Sequence, residues 1–172
     1  MVWLAPWRIP GKPFRWRNIL VHQTEGPAGS ARNGAQAQAK KPARRGVTIW
    51  VETDGTVYWA VPEDAVTLQG DGANRRDNRY IDNSTTYRQV IHTNSIGIEF
   101  AGNYPDVAAA ATPEQVAAWR ILVRVLQARY GIPPERIYAH NWIDHKDARY
   151  CEGCELAEMA RAMNYRPQSP DR

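Results

Sequence analysis

The sequence predicts an α/β fold: a mixed central β-sheet containing a hairpin, flanked by about three main helices. Three observations predict it. Continuous apolar runs of four to six residues at 18–22, 95–100 and 137–140 have the length and composition of buried strands. Segments with helical patterning at 30–41, 113–130 and 154–164 alternate with them. One Asp-Gly pair, Asp54-Gly55, lies between two β-rich runs, a strong hairpin signal. Strands alternating with helices, plus one antiparallel pair, give a sheet covered by helices.

Residues 1–17 are rich in Trp, Pro and Arg without periodicity and read as an ordered arm on the surface. The first strand, Asn18-Ile19-Leu20-Val21-His22, ends in a histidine and turns polar at Gln23. Ser30 to Lys41 is rich in Ala and Gln and reads as a helix, stopped at Pro42, with Gly34 as an unfavourable interior residue. Residues 47–52 and 56–61 form the hairpin arms. Residues 69–89 are polar and rich in Gly, Asn, Arg and Asp; a loop of that length in a compact domain is functional or mobile. Ser95 to Phe100 reads as a buried strand carrying one carboxylate, Glu99.

The clearest helix is 113–130. Thr112 is its N-cap, Pro113 suits the first position, Gln115 completes a capping box and Gly131 ends it. Val116, Trp119, Leu122, Val123 and Leu126 share one face, with Arg120, Arg124 and Gln127 on the other. A strand follows at 137–140. The last helix runs from 154 to 164, with Leu156, Met159, Ala160 and Met163 inward. These elements make one domain over 18–166, between the arm and a flexible tail at 167–172.

The 172 residues include 43% hydrophobic and 23% charged residues, the balance of a folded chain with a sizeable core. A net charge of +4 suits an anionic partner. No basic run interleaved with aromatics marks a nucleic-acid motif, so no nucleic acid is expected. No apolar run reaches the length of a membrane span, and the N-terminus lacks the layout of a signal peptide. The expectation is a monomer, synthesised in the cytoplasm and without membrane contact. Two cysteines do not make a disulfide framework.

Three strands finish on a chemically capable residue: His22, Glu99 and His140. If they run parallel, their carboxyl ends share one sheet edge, where open α/β sheets bind ligands. The segment after Tyr138 holds two of the four histidines and both cysteines. His22, His140 and Cys151 would make a three-ligand zinc set with one position open. Zinc so held lowers the pKa of water and polarises a carbonyl, and Glu99 beside it would move the proton. The bland reading is that each residue is a satisfied core or surface group. The residues alone leave the two readings at even weight.

Here the motifs resemble a known family. Ile19-Leu20-Val21-His22-Gln23-Thr24, Thr53-Asp54-Gly55-Thr56-Val57-Tyr58, Asn94-Ser95-Ile96-Gly97-Ile98-Glu99-Phe100 and Tyr138-Ala139-His140 followed by Arg149-Tyr150-Cys151-Glu152-Gly153 resemble, in order, segments of the zinc-dependent N-acetylmuramoyl-L-alanine amidases. The resemblance covers about 18–156. It implies zinc held by His22, His140 and Cys151, Glu99 as general base, Arg149 as oxyanion partner, and peptidoglycan or a muropeptide as substrate. The enzyme would act on the cell wall after a lysis or secretion route, or in recycling. The alternative is a non-catalytic peptidoglycan-binding module on the same fold.

The chain departs from the family at several places. Arg149 stands where Lys is usual, Glu152 where Pro is usual, and Val47 where some members carry a hairpin Tyr. Leu68-Gln69-Gly70 replaces W-H-A-G. Lys146 is a second candidate for the cationic role; His145, Asp147 and Cys154 are rival ligands; His92 and Asn94 are candidates for orienting the cleft.

Overall fold

The computed structural model describes residues 1–4, 16–42, 45–69, 83–103, 106–144 and 151–166. Its core is one six-stranded sheet in the order β1-β4-β3-β5-β2-β6. The strands are β1 (Val2–Trp3), β2 (Asn18–Gln23), β3 (Ile49–Val51), β4 (Val57–Trp59), β5 (Ser95–Phe100) and β6 (Ile137–Ala139). Pairs β3–β5, β5–β2 and β2–β6 are parallel, as is β1–β4, while the hairpin pair β3–β4 is antiparallel. The sheet is therefore mixed, as the sequence predicts.

The helices are α1 (Ser30–Lys40), the short α2 (Asn83–Thr86), α3 (Pro113–Tyr130), the single-turn α4 (His140–Ile143) and α5 (Cys154–Ala162). Alternation along β3 divides the core. Ile49 and Val51 join the large cluster with Trp119, Leu122 and Leu126 of α3 and Leu156 and Ala160 of α5. Trp50, between them, joins Ala31 and Ala35 of α1. Successive strand residues point to opposite faces, so one short apolar strand serves two helical layers.

The capping box forms as its residues dictate. Gln115 N donates to Thr112 Oγ1 at 3.1 Å, and Thr112 N donates to Gln115 Oε1 at 3.0 Å. Helix α1 has no cap from its own N-cap residue, Gly29. The hairpin supplies one: the Glu52 carboxylate accepts from Gly29 N at 2.9 Å and Arg32 N at 3.1 Å. Burial alone would raise the Glu52 pKa, but these bonds and those from Thr53 hold it below the ordinary value.

Five details differ from the sequence expectation. Gln127, placed on the solvent face of α3, is fully buried, because its Nε2 donates to Tyr165 O at 3.1 Å in the segment after α5. The N-terminal segment is not wholly superficial: Val2–Trp3 forms an edge strand, and Trp16 is buried with its Nε1 donating to Glu63 O at 3.1 Å. The hairpin strands are shorter than their apolar runs. Strand β6 stops at Ala139, and His140 opens α4. Within the predicted 69–89 loop, Asn83–Thr86 is helical; residues 70–82 of that loop and the 167–172 tail lie outside the described residues.

Candidate metal centre and its cleft

The parallel register brings the three strand-end residues together. In the β2–β5 pair His22 stands opposite Glu99, so both side chains project to the same face. In the β2–β6 pair Val21 stands opposite Ala139, so the next residue of each chain, His22 and His140, are neighbours. His22 and His140 are both buried, at 3% and 2% exposure. Their Nδ1 atoms lie 3.0 Å apart.

The third group at this point is Glu152. Its Oε1 lies 3.2 Å from His22 Nδ1, and its Oε2 lies 3.1 Å from His140 Nδ1. Ligand atoms of all three residues lie within 4.8 Å of one another. The turn that delivers Glu152 depends on Gly153. Its φ of 83° is left-handed, and a Cβ there would strike the Val21 carbonyl of β2. Gly153 N donates to Gln23 Oε1 at 2.9 Å, pinning the turn to the strand end.

Burial would push the Glu152 carboxyl upward in pKa. The hydrogen bonds from His140 and His22 outweigh it and hold Glu152 well below the ordinary carboxylate value, so it is an anion. Two imidazole nitrogens and one anionic oxygen, converging at the floor of an open cleft, are a donor set that fits zinc with a position left for water or substrate. The cleft measures about 690 Å³, and His22, Glu99, His140 and Glu152 line it together with Arg45 and Asp144.

The sequence reading places Cys151 as the third ligand. In the structure Cys151 is joined to Cys154 in a disulfide, their Cα atoms 5.4 Å apart across the C-x-x-C turn that opens α5. A disulfide sulfur carries no thiolate charge and is not a zinc ligand in that form. The anionic place beside the histidines is taken by the next residue, Glu152. Its signal in the sequence is the departure from the family turn, an acid where proline is usual. Cys154, a rival ligand in the sequence, is the other half of the disulfide. Arg149, Lys146, His145 and Asp147 lie outside the described residues. Asn94 accepts from Asn18 Nδ2 at 2.9 Å, at the start of β2 and so at the far end of the strands from the cleft. His92 lies in the same turn.

Sequence reasoning named Gln69 only as a departure and gave it no role. Its Nε2 donates to Ser95 O at 2.6 Å, and its Oε1 lies 3.4 Å from His22 Nε2.

Fold and site together define an α/β protein with a candidate metal centre at the carboxyl edge of its parallel strands. The chain belongs to the N-acetylmuramoyl-L-alanine amidase family, whose model matches residues 12–154. No curated protein matches it by sequence. Solved structures share the fold at low identity. An endolysin N-acetylmuramoyl-L-alanine amidase, LysCS from Clostridium intestinale URNW, is 18% identical with a TM-score of 0.61, over 93% of this chain and 95% of that one. The Ph2119 endolysin from the Thermus scotoductus MAT2119 bacteriophage Ph2119 is 21% identical with a TM-score of 0.56, over 92% and 98%. The amidase AmiD from E. coli, in complex with anhydro-N-acetylmuramic acid-L-Ala-D-gamma-Glu-L-Lys, is 19% identical with a TM-score of 0.58, over 95% of this chain and 63% of that one. No helix among the described residues is long and apolar enough to cross a membrane.

Proposed function

We infer that the chain is a zinc-dependent amidase that hydrolyses the amide between N-acetylmuramic acid and L-alanine in peptidoglycan or its muropeptide fragments. The observation that carries this reading is the convergence of His22, His140 and Glu152 at one edge of the sheet, with Glu99 in register beside His22. Family membership supports the reaction. Zinc, when held there, supplies polarisation of the scissile carbonyl and a lowered pKa for water.

The residues divide the remaining work. His22 and His140 hold the metal. Glu99, in the cleft, takes the proton of the attacking water and returns it to the leaving nitrogen, so the amine departs neutral. Arg149, two residues before Cys151, supplies positive charge to the tetrahedral oxyanion. Glu152 is the third ligand when Cys151 and Cys154 are joined. A second reading rests on the adjacency of Cys151 to Glu152: after reduction, the Cys151 thiolate takes that place.

The net charge of +4 suits an anionic wall polymer, and the AmiD complex supports a sugar–peptide junction as the bound group. The protein acts as a monomer without membrane or nucleic-acid partners. A non-catalytic binding module is the rival. Metal analysis of the purified protein, followed by mass analysis of products from intact sacculi and from soluble anhydro-muropeptides, tests the reading. Zinc in about stoichiometric amount and release of L-alanine-terminated stem peptides are expected. Binding to sacculi without cleavage by the zinc-loaded protein would leave the module.

A further inference from the structure

We propose that Arg45 is a specificity-determining residue of the cleft, pairing with the free carboxylate of the acidic residue that follows L-alanine in the stem peptide. The inference rests on the amidase reading above. It narrows the substrate class to muropeptides in which that residue is a free acid rather than its amide.

The charge lining the cleft is uneven. Glu25, Glu99, Asp144 and Glu152 line it, and Arg45 is the one Lys or Arg among the described residues that does. The Arg45 side chain is exposed and has no acidic partner among the described residues. A carboxylate entering the cleft is repelled by the acids and attracted at Arg45, so charge sets the direction in which a peptide lies. A guanidinium presents a planar fork of N–H donors that matches both oxygens of a carboxylate. A carboxamide offers the same fork a single neutral acceptor oxygen.

The backbone fixes where this cation stands. Arg45 pairs with Leu68 in a parallel bridge, and Gly46 N donates to Leu68 O at 3.4 Å. Gly46, at φ 147°, packs against the Gln38 carboxamide of α1, which a Cβ there would strike. Gln38 Nε2 donates to Pro42 O at 2.8 Å, holding the same segment to the helix. The residue after Leu68 is Gln69, whose Oε1 lies 3.4 Å from His22 Nε2. The Arg45–Leu68 wall therefore stands one strand spacing, about 4.8 Å, plus one residue step from a side chain that touches the metal position. Leu68 is 45% exposed and also lines the cleft, an apolar surface beside the cation for the methylene part of the same ligand residue.

The ligand chemistry matches this scale. The peptide in the AmiD complex continues from L-Ala into D-γ-Glu. A glutamate joined through its γ-carboxyl keeps its α-carboxylate free, and that is the first charge beyond the scissile amide on the peptide side. With the amide at the metal position, this charge comes one residue later, and a cleft of about 690 Å³ has room for both.

The test compares two zinc-controlled substrates, N-acetylmuramic acid-L-Ala-D-γ-Glu-L-Lys and its counterpart with the glutamate α-carboxylate converted to carboxamide. Both kcat/KM and equilibrium binding are measured for wild type, Arg45→Gln and Arg45→Lys. Wild type is expected to prefer the free acid about tenfold, mainly through KM, and the preference should shrink with added salt. In Arg45→Gln the ratio between the two substrates should fall to about one, and Arg45→Lys should restore part of it. A wild-type ratio near one overturns the inference without recourse to any variant, and so does a folded Arg45→Gln that keeps the wild-type ratio. If the zinc-loaded wild type cleaves neither compound, the amidase reading fails. Binding then decides on Arg45 separately: a preference for the free acid that Arg45→Gln loses sustains the site, and equal binding of the two compounds overturns it.

Discussion

His22 and His140, 118 residues apart in the chain, face each other Nδ1 to Nδ1 at 3.0 Å, with the Glu152 carboxylate against both. Two electron-pair donors at that separation repel unless a hydrogen or a cation lies between them, and the anion beside them favours the cation. Replacing either histidine by alanine is therefore expected to abolish stoichiometric zinc binding. Metal analysis after dialysis checks this; retention of zinc by both variants would remove the centre from this edge.

The third ligand is separable by redox state. Glu152→Gln is expected to weaken zinc binding in oxidised protein, and Cys151→Ser to weaken it only under a dithiol reductant. Each loss should be at least tenfold, since an anionic ligand is replaced by a neutral one. Titration of both variants with and without reductant separates Glu152 from Cys151. Equal zinc affinity of Glu152→Gln and wild type under oxidising conditions would assign Glu152 a structural role.

Glu99→Gln keeps the shape of the cleft and removes the proton acceptor. The expected result is a fall in kcat of about 10²–10⁴ with zinc content unchanged. Full turnover of a muropeptide by this variant would exclude Glu99 as general base.

Gly153→Ala is expected to lower stability by about 1–2 kcal/mol from the left-handed backbone alone. The clash with the Val21 carbonyl adds to that and pushes Glu152 away from the histidines. Thermal denaturation and zinc titration should both move. A change in melting temperature with intact zinc affinity would show that the turn shifts without carrying Glu152.

Away from the cleft, Glu63 is buried, with Arg129 Nη2 donating to it at 2.7 Å and Tyr130 Oη at 2.7 Å. Burial would raise its pKa; the bonds from Arg129 and Tyr130 lower it below the ordinary 4.5. A carboxyl depressed in the folded state stabilises the fold fully above its unfolded pKa and loses that contribution as pH falls through the folded one. Acid should therefore destabilise the wild type below about pH 4.5, and Glu63→Gln should flatten this part of the profile. At neutral pH the same variant should cost about 3 kcal/mol, because Arg129 loses its charged partner. Denaturant unfolding across pH 3–7 measures both effects, and parallel profiles for the two proteins would exclude Glu63 as a source of acid lability.

What the sequence determined by itself was local. Periodicity and capping located α3 to the residue, because Thr112, Pro113, Gln115 and Gly131 act on their own backbone neighbours. Apolar runs located β2, β5 and β6, and their last residues marked the sheet edge where the cleft lies. Burial of Gln127 was not legible in the helix pattern, since its partner, the Tyr165 carbonyl, is 38 residues away. The same holds for the site. Residue spacing makes Cys151 and Glu152 equally near to the histidines; in the structure Glu152 faces them, on a turn where Gly153 is pressed on Val21 and Cys151 is bonded to Cys154. Gln69 comes within reach of His22 where β5 lacks a side chain at Gly97. Local backbone preferences act over a few residues and are written in the chain, whereas a ligand set depends on which side chains long-range packing leaves facing one another, and only the tertiary structure decided that.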